Sequence, residues 1–335
     1  MATRRTNIGL LLLLTAVLVS GGVGFGLGTR PGRLVLVAHG AAGLGVVLLS
    51  PWKSMIVRRG LRRVRPARDV AIGLAVLVPL AFASGVVHTA FGYRQVGPVT
   101  ALQVHLGAAL LAVPLLGWHV ATRRQRLRRT DLSRRNALRV GTLSAAALAG
   151  YALLERTTAA AALPGGSRRF TGSFATGSGR PGVMPVTQWL TDDVPRIDVD
   201  AWRLRVRTSS GERAWSYEEL LAGTDVVRAT LDCTGGWYAE QLWSGIRLDR
   251  LLPADTEGRS IEVVSATGYR RQLPRADSSR LLLATRVGGE ALSPGHGFPA
   301  RLVVPGRRGF WWVKWVASVT VSEQPWWLQP PFPMQ

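Results

Sequence analysis

Cysteine is almost absent from this sequence: Cys233 is the only one in 335 residues. No intrachain disulfide can form, so thiols give no reading of the redox compartment. A lone cysteine is either a small buried apolar residue or a reactive or metal-bound thiolate. Acidic residues are also scarce, 20 against 42 Lys and Arg, which leaves a formal net charge of +22. The chain shows no internal repeat, no glycine-rich phosphate loop ahead of a helix, no zinc-type Cys/His spacing and no Ser-His-Asp signature. Those absences argue against P-loop, zinc and serine-hydrolase chemistry.

So basic a soluble protein would suggest a nucleic-acid partner. The placement of the charge argues otherwise. Residues 1–155 hold 20 of the Lys and Arg but only 3 of the Asp and Glu, and they are also the most apolar part of a chain that is 47% hydrophobic. Basic residues between long apolar runs are what membrane topology requires, so the expected partner is a membrane and not nucleic acid. Four runs have spanning length: Ile8–Gly28, Leu34–Ser50, Val70–Gly92 and Thr100–Ala121. Lys53, Arg58, Arg59, Arg62, Arg63, Arg65 and Arg68 follow the second run, and Arg123, Arg124, Arg126, Arg128, Arg129, Arg134, Arg135 and Arg139 follow the fourth. Only Arg30, Arg33 and Arg94 lie in the other two loops. The positive-inside rule then puts the N-terminus and the two basic loops in the cytoplasm. The first run is expected to stay as a span, because further spans follow in alternating register.

Four of the five histidines fall in this half: His39, His88, His105 and His119. Ionisable groups in a bilayer are costly and usually functional. The topology sets His39, His88 and His105 near the outer face and His119 near the inner one. His105 and His119 are 14 residues apart, which on a helix is about 21 Å and within about 40° of the same face. Paired histidines on facing helices are a usual way to hold a haem in a bundle core. All four are candidate haem-iron ligands, and one outer haem is expected. The alternatives for His119 are a second haem, a quinone site or the interface. The layout of residues 1–121 resembles four-helix cytochrome b membrane subunits of bacterial oxidoreductases, which implies haem b and exchange of electrons with the quinone pool. It departs from them in lacking an obvious second inner histidine.

Ser133-Arg134-Arg135-Asn136-Ala137-Leu138 precedes the moderately apolar stretch Val140–Leu154. It resembles a twin-arginine export signal, with Ala137 where Phe is more usual; the bland alternative is two more positive-inside arginines. Either way the stretch leads outward. Thr157–Ser167 reads as a linker or a cleavage site.

From about Arg168 the chain reads as a soluble, mostly β, α+β domain. Strands are expected at Trp202–Arg207, Arg228–Thr234, Ile261–Ala266, Leu281–Val287, Arg301–Val304 and Trp312–Val321, and helical turns at Tyr217–Ala222 and Leu248–Leu252. Pattern alone stops there; motifs go further. Leu231-Asp232-Cys233-Thr234-Gly235-Gly236-Trp237 is followed by Trp243-Ser244-Gly245-Ile246-Arg247-Leu248. Later come His296-Gly297-Phe298-Pro299-Ala300-Arg301-Leu302-Val303-Val304-Pro305 and Val313-Lys314. In order and separation these blocks resemble the sulfite-oxidase-fold, molybdopterin-dependent oxidoreductases. Among these, the small bacterial periplasmic members, such as methionine sulfoxide reductase catalytic subunits, are the nearer in architecture. The resemblance implies Mo-molybdopterin, with Cys233 as the thiolate ligand to molybdenum. It implies further cofactor contacts from Thr267, His296, Arg301 and Lys314. Tyr269 is a candidate catalytic residue of the pocket that takes a small-molecule substrate. Trp237, Tyr238 and Arg271 are further pocket candidates, whereas Trp311, Trp312 and Trp315 are expected in the core.

The expected architecture is therefore multi-domain. A four-helix, haem-binding transmembrane domain (1–125) leads through a basic loop, signal-like fifth apolar segment and linker (126–167) to a molybdopterin-binding oxidoreductase domain (168–335). The expected location is a multi-pass protein of the bacterial cytoplasmic membrane with its catalytic domain outside. Expected chemistry is oxygen-atom transfer on an oxidised sulfur or nitrogen compound. Two other readings stay open: a haem-free anchor served by a separate electron donor, and a cofactor-free binding module, against which Cys233, Arg301 and Lys314 together argue.

Overall fold

The structure, a computed structural model, describes residues 2–61, 68–97, 99–122, 133–189, 192–253 and 256–333. Arg62, Arg63, Arg65 and the arginines from Arg123 to Arg129 lie outside the described residues. The chain divides into two compact units, Met1–Phe174 and Ala175–Gln335.

The first unit is built from five helices: α1 (Ala2–Gly26), α2 (Gly32–Leu61), α3 (Arg68–Phe91), α4 (Ala101–Thr122) and α5 (Arg134–Ala160). All five are long and apolar enough to cross a membrane. Their outward faces carry exposed large apolar residues such as Leu12, Val76, Leu110 and Leu153, which water would not tolerate in such number. Three results differ from the sequence expectation. The second helix is longer than its apolar run, because Pro51 is accommodated inside it. The fifth segment is a full member of the unit: the Tyr151 ring seats on Gly40 of α2, where a Cβ would lie 2.3 Å from the ring. The expected linker is partly helical, since Thr157–Ala160 continue α5, with Thr158 Oγ1 donating to Leu154 O at 2.7 Å. Alanine is a strong helix former, and this hydroxyl is satisfied by the turn beneath it. A short β1–β2 hairpin (Gln95–Val96, Val99–Thr100) joins α3 to α4, and the two-residue strand β3 (Phe174–Ala175) falls where the two units divide.

The second unit holds two sheets. In one, β10 (Leu282–Val287) pairs antiparallel with β7 (Trp237–Arg247), β11 (Glu290–Ala291) and β12 (Arg301–Val303), and β6 (Asp225–Asp232) pairs with β7. The other runs β5-β4-β13-β8-β9, from Gly211–Trp215, Leu204–Thr208, Val316–Ser322, Ser260–Ser265 and Arg270–Pro274. Only β4 and β13 are parallel in it. Short helices α6 (Tyr217–Leu221) and α7 (Leu248–Leu251) occupy the expected helical turns. At α6 Ser216 and Glu219 form a reciprocal capping box. The core is built from Trp237, Trp243, Leu204, Ile261, Leu273, Leu282, Leu283 and Trp315, each almost wholly buried.

The longest strand, β7, was not among those expected, although its alternate residues Trp237, Ala239, Gln241, Trp243 and Gly245 are the buried ones. This period of two was masked by its Trp, Tyr and Gly content, which reads as a loop motif. Within β7, Gly245 sits where a Cβ would lie 2.0 Å from Leu283 O, so the strands meet through backbone alone. Gly245→Ala should therefore force β7 and β10 apart and cost about 3 kcal/mol by overpacking. Urea unfolding of the solubilised chain followed by tryptophan fluorescence would measure it.

Candidate functional site

The β6–β7 hairpin turns at Cys233–Gly236, and this turn presents the thiol. Cys233 N donates to Trp237 O at 2.9 Å and Gly236, at φ 94°, closes the turn. The thiol is buried and faces a cavity also walled by Thr187, Gln188, Asp192, Trp237, Ser265, Tyr269, His296, Arg301, Trp312, Lys314 and Trp315, among others. Burial pushes the thiol pKa up, while the Gly235 N–H, the Thr187 hydroxyl, Arg308 and Lys314 pull it down. The Gly235 N–H lies 3.3 Å from Sγ. A soft metal bound to sulfur would take the proton's place and relieve that burial cost.

The second block converges on the same cavity through Gly297. At φ 110° it leaves the turn Pro294–His296, and a Cβ there would meet Arg301 Cβ at 3.1 Å and Lys314 Cβ at 3.2 Å. Only glycine both takes this conformation and lets the two cations flank it. Arg301 opens β12 at 3% exposure, donates from NH1 to His296 O at 3.1 Å and lies 5.5 Å from the Trp243 ring and 5.7 Å from that of Trp312. Its Nε has no partner among the described residues. Burial lowers its pKa to about 10. Lys314 Nζ donates to Thr187 O (2.9 Å), Gln188 Oε1 (2.9 Å) and Gly295 O (2.7 Å). These three acceptors suit an ammonium, while burial and then Arg301 lower its pKa to about 7.

The other expected site residues are placed as follows. His296 lines the cavity, but both ring nitrogens are engaged within the protein: Nδ1 lies 2.8 Å from Ser293 Oγ and Nε2 3.1 Å from Met184 O. The carbonyl contact requires Nε2–H, which fixes the ring, and burial, with Arg301 next, lowers its pKa to about 4, which favours the neutral form. Tyr269 lines the cavity and donates its hydroxyl to Phe310 O; burial raises its pKa. Thr267 is not brought to the cavity. It stands exposed on the turn after β8 and bonds Ser265 Oγ at 3.0 Å, and Ser265 is the hydroxyl in the wall. Residues at a tight turn's tip point away from the sheet, which the motif alone does not reveal. Trp237 lines the cavity, whereas Tyr238 and Arg271 do not. Trp312 and Trp315 are both core and wall. Trp315 holds φ 50°, an unfavourable value for a bulky residue, pinned by Nε1 donating to Pro294 O at 2.7 Å.

Sequence reasoning missed one feature beneath the site. Asp232 and Arg308 form a buried ion pair at 2.5 Å, and Arg308 NH2 donates to Cys233 O at 3.3 Å. The pair holds the loop after β12 against the Cys233 turn, where Gly309 would place a Cβ 3.2 Å from Cys233 Cα. Asp232 adjoins the cysteine in the first motif, so a buried acid there was the available signal. Thr187, Gln188 and Asp192 come from a segment without any motif.

In the first unit His39, His88 and His105 share one end of the bundle. His39 and His105 rings lie 5.8 Å apart, edge to face. His39 Nδ1 lies 3.0 Å from Val17 O, and His105 Nδ1 2.7 Å from Ala81 O. A carbonyl accepts only, so both rings carry their proton on Nδ1 and leave Nε2 as a lone-pair donor. His88 is buried, its ring centroid 5.3 Å from that of Phe174 in an edge-to-face arrangement. His119 is half-buried near the other end of α4.

A buried thiol on a mixed-sheet domain, ringed by cations, marks the class: the second unit carries a molybdopterin-binding oxidoreductase domain of the sulfite-oxidase fold. Residues 191–328 match the family described as "Oxidoreductase molybdopterin binding domain". Among curated proteins, the chain is similar to a putative protein-methionine-sulfoxide reductase subunit YedZ1 of Azospira oryzae. The two are 28% identical over 138 residues, covering 39% of this chain and 53% of that protein. Rat mitochondrial sulfite oxidase is 29% identical over 172 residues, 39% of this chain and 31% of that protein. Nitrate reductase of Lotus japonicus is 39% identical over 59 residues, 18% of this chain and 7% of that protein. The chain thus spans about half the length of the first of these relatives and less of the others. Among solved structures, the sulfane dehydrogenase SoxCD of Paracoccus pantotrophus aligns with a TM-score of 0.36 at 25% identity, covering 39% of this chain and 40% of that one.

Two outcomes follow from these electrostatics. Removing either member of the Asp232–Arg308 pair leaves a buried charge uncompensated, so Asp232→Asn or Arg308→Met should cost about 3–5 kcal/mol. The double variant Asp232→Leu with Arg308→Met should recover a large part of that loss in the same unfolding assay. Secondly, His296 and Lys314 both have pKa values lowered by folding, to about 4 from 6.5 and to about 7 from 10.5. The unfolded chain then binds more protons in each window, so the stability of the cofactor-free protein rises with pH across 4–6.5 and again above 7, and is lost as pH falls. Above the usual thiol value of 9.0, Cys233 acts in the opposite sense, because its folded pKa is raised. Melting curves of cofactor-free protein against pH test this, and Lys314→Met should flatten the rise between pH 7 and 9.

Proposed function

We propose that this protein is a membrane-bound molybdopterin-dependent oxidoreductase that transfers an oxygen atom to or from a small sulfur or nitrogen compound on the outer side of the bacterial cytoplasmic membrane. It exchanges electrons with the quinone pool through a b-type haem. The observation that carries the catalytic part is the cavity that gathers one buried thiol, Cys233, with Arg301 and Lys314 in its wall. Among the described residues no three His, Cys, Asp or Glu side chains converge as a metal-ligand set, so Cys233 stands as a single soft protein donor. That suits a metal whose remaining ligands come from a dithiolene. Arg301, with its unpartnered Nε, fits the cofactor's anionic oxygens. When bound, the cofactor supplies two-electron oxygen-atom-transfer chemistry.

The protein's own residues then have separable tasks. Cys233 ligates through sulfur, and the Gly235 N–H and Thr187 hydroxyl steady that sulfur. Fixed, neutral His296 orients Arg301 through its carbonyl. Lys314 keeps Thr187 and Gln188 against the cavity by its hydrogen bonds. Tyr269 places a phenol oxygen at the cavity wall; its raised pKa keeps it protonated, and with that proton given to Phe310 O the oxygen faces the cavity as an acceptor. In sulfoxide reduction two electrons and two protons enter and water leaves; sulfite oxidation runs with the opposite balance.

For the membrane half, the supporting observation is the pair His39 and His105. Their ring separation of 5.8 Å is close to that of two imidazoles sharing one metal at about 2 Å from each nitrogen. Their Nδ1 protons are anchored on helix carbonyls, the outer-shell arrangement that orients ligating histidines. These two are the proposed haem ligands, with His88 and His119 outside the pair. The positive-inside arginines and the twin-arginine-like start of α5 support an outward second unit. The proposed division of labour is a transmembrane electron-transfer domain, 1–125, a signal-like segment, 126–167, and the catalytic domain, 168–335.

The test is an optical spectrum of detergent-solubilised protein, oxidised and then dithionite-reduced, with molybdenum assayed on the same sample. A sharp reduced band in the b-type region with near-stoichiometric molybdenum is expected. His39→Ala and His105→Ala should each abolish the band while His88→Ala retains it, and Cys233→Ser should lose molybdenum but keep the band. Molybdenum without a haem band, in cells with ample haem, sinks the cytochrome assignment and leaves an anchored enzyme with a separate electron donor.

A further inference from the structure

Arg271 is a further buried cation near the cavity, and nothing in the catalytic scheme above uses it. It lies in β9, two residues after Tyr269, at 2% exposure. Its guanidinium sits 4.1 Å from the centroid of the Trp311 ring and 5.5 Å from that of Phe310. NH1 donates to Pro330 O at 3.3 Å, and Nε and NH2 have no acceptor among the described residues. Burial lowers its pKa to about 10, with neighbouring Tyr269 and Arg307 the other influences; no carboxylate is among them. The other arginines nearby are treated differently. Arg308 has Asp232 as counter-ion, Arg301 faces Cys233 across the cavity, and Arg307, stacked 4.4 Å from the same Trp311 ring, has Asp277 at 3.8 Å. A desolvated guanidinium with two idle donors and no anion is costly to keep. Tyr269 and Phe310 both line the cofactor cavity, so Arg271 stands immediately behind its wall.

The C-terminal segment covers this arginine. The Gln329 side chain accepts from Gln272 N at 3.1 Å and donates to Gln272 O at 2.8 Å. Phe332 packs on Phe310 at 5.6 Å, Trp326 on Trp311 at 6.3 Å, and Trp189 Nε1 donates to Pro333 O at 3.1 Å. Side-chain hydrogen bonds of Gln329, Trp189, Arg271 and Gln272, together with ring contacts, hold the strap, without a strand ladder. Such a segment opens more readily than the sheet beneath it.

We propose that Arg271 is the receptor for an oxyanion group of the substrate, in a subsite beside Tyr269 and Phe310 that the strap Gln324–Pro333 closes. The Nε–H and NH2 edge offers the forked donor pair that two oxygens of one anionic group accept. An anion there supplies the missing counter-charge and leaves the NH1–Pro330 hydrogen bond in place. That the anion belongs to a substrate rests on the oxygen-transfer reading above; that Arg271 binds an anion does not.

Sulfate is the probe, titrated into the full solubilised chain by calorimetry and by thermal shift. Wild type should show one saturable site. Arg271→Met should weaken it by about 30-fold or more, as expected for losing one side of a buried charge pair. Arg271→Lys, which keeps the charge and loses the fork, should weaken it by about 5- to 10-fold. Arg271→Lys also decides the matter if Arg271→Met does not fold. Cys233→Ser should bind sulfate like wild type while lacking molybdenum, which separates failure of the catalytic reading from failure of this one. Arg301→Gln reports the other source of the same chemistry, the phosphate of the cofactor. Sulfate binding lost in Arg301→Gln and unchanged in Arg271→Met overturns the proposal, as does wild type without a saturable site or Arg271→Met and Arg271→Lys both binding like wild type.

Discussion

Positive charge buried around one thiol is the constraint on which the second unit depends. Arg271, Arg301, Arg308 and Lys314 all stand in or next to the walls around Cys233. Of the acids near them, Asp232 alone is a direct, buried partner. A cation taken out of water must be paired, neutralised or hydrogen-bonded, and each of these four meets the demand differently. Arg308 is paired. Lys314 is surrounded by three oxygen acceptors and has its pKa drawn down. Arg301 and Arg271 retain donors without protein partners. Such a site is least comfortable when empty, so ligand binding and stability are linked in it.

The scaffold around these charges is correspondingly stiff. The Cys233 turn is fixed on three sides: by the β6–β7 ladder, by the Asp232–Arg308 pair, and by the close approach of Gly309. The second wall hangs from Gly297 and the left-handed Trp315, a backbone arrangement that persists only where packing over-determines it. Pre-organisation of this kind places ligands within tenths of an ångström before any cofactor arrives. The C-terminal strap is the exception, attached by a few side chains over the same region.

The membrane unit meets a different requirement. Its helices can hide polar groups only by pairing them internally. His39 and His105 each give a proton to a helix carbonyl, and Arg168 pairs with both Tyr151 and Glu155. Small residues make these approaches available: Gly40 admits the Tyr151 ring, and Gly85 lies against the His105 ring, where a Cβ would come to 2.9 Å from Nδ1. His39, His105, Tyr151, Glu155 and Arg168 are thus held by partners within the unit, whereas His119 lies near the other end of α4.

Much of this was legible in the residues themselves. Hydropathy of spanning length and the arginine asymmetry need no tertiary contact to act, and they set the spans. The cysteine and arginine motifs are local strings whose chemistry is carried by residue type, so they named Cys233, Arg301 and Lys314, which the fold then gathers in one cavity. What depended on packing was not legible. Strand β7 shows its period of two only once two sheets bury alternate residues. Thr267 and Ser265 differ by two positions, and only the turn decides which hydroxyl faces inward. Asp232 and Arg308, 76 residues apart, and Arg271 under Pro330 are long-range pairings, which no local pattern encodes. Composition and periodicity thus set the membrane half and the β-rich half, and the resemblance carried by the motifs supplied the kind of protein and its candidate ligands. The tertiary structure decided which charges are paired, which histidines meet and which donors remain open, because those depend on distances between segments far apart in the chain.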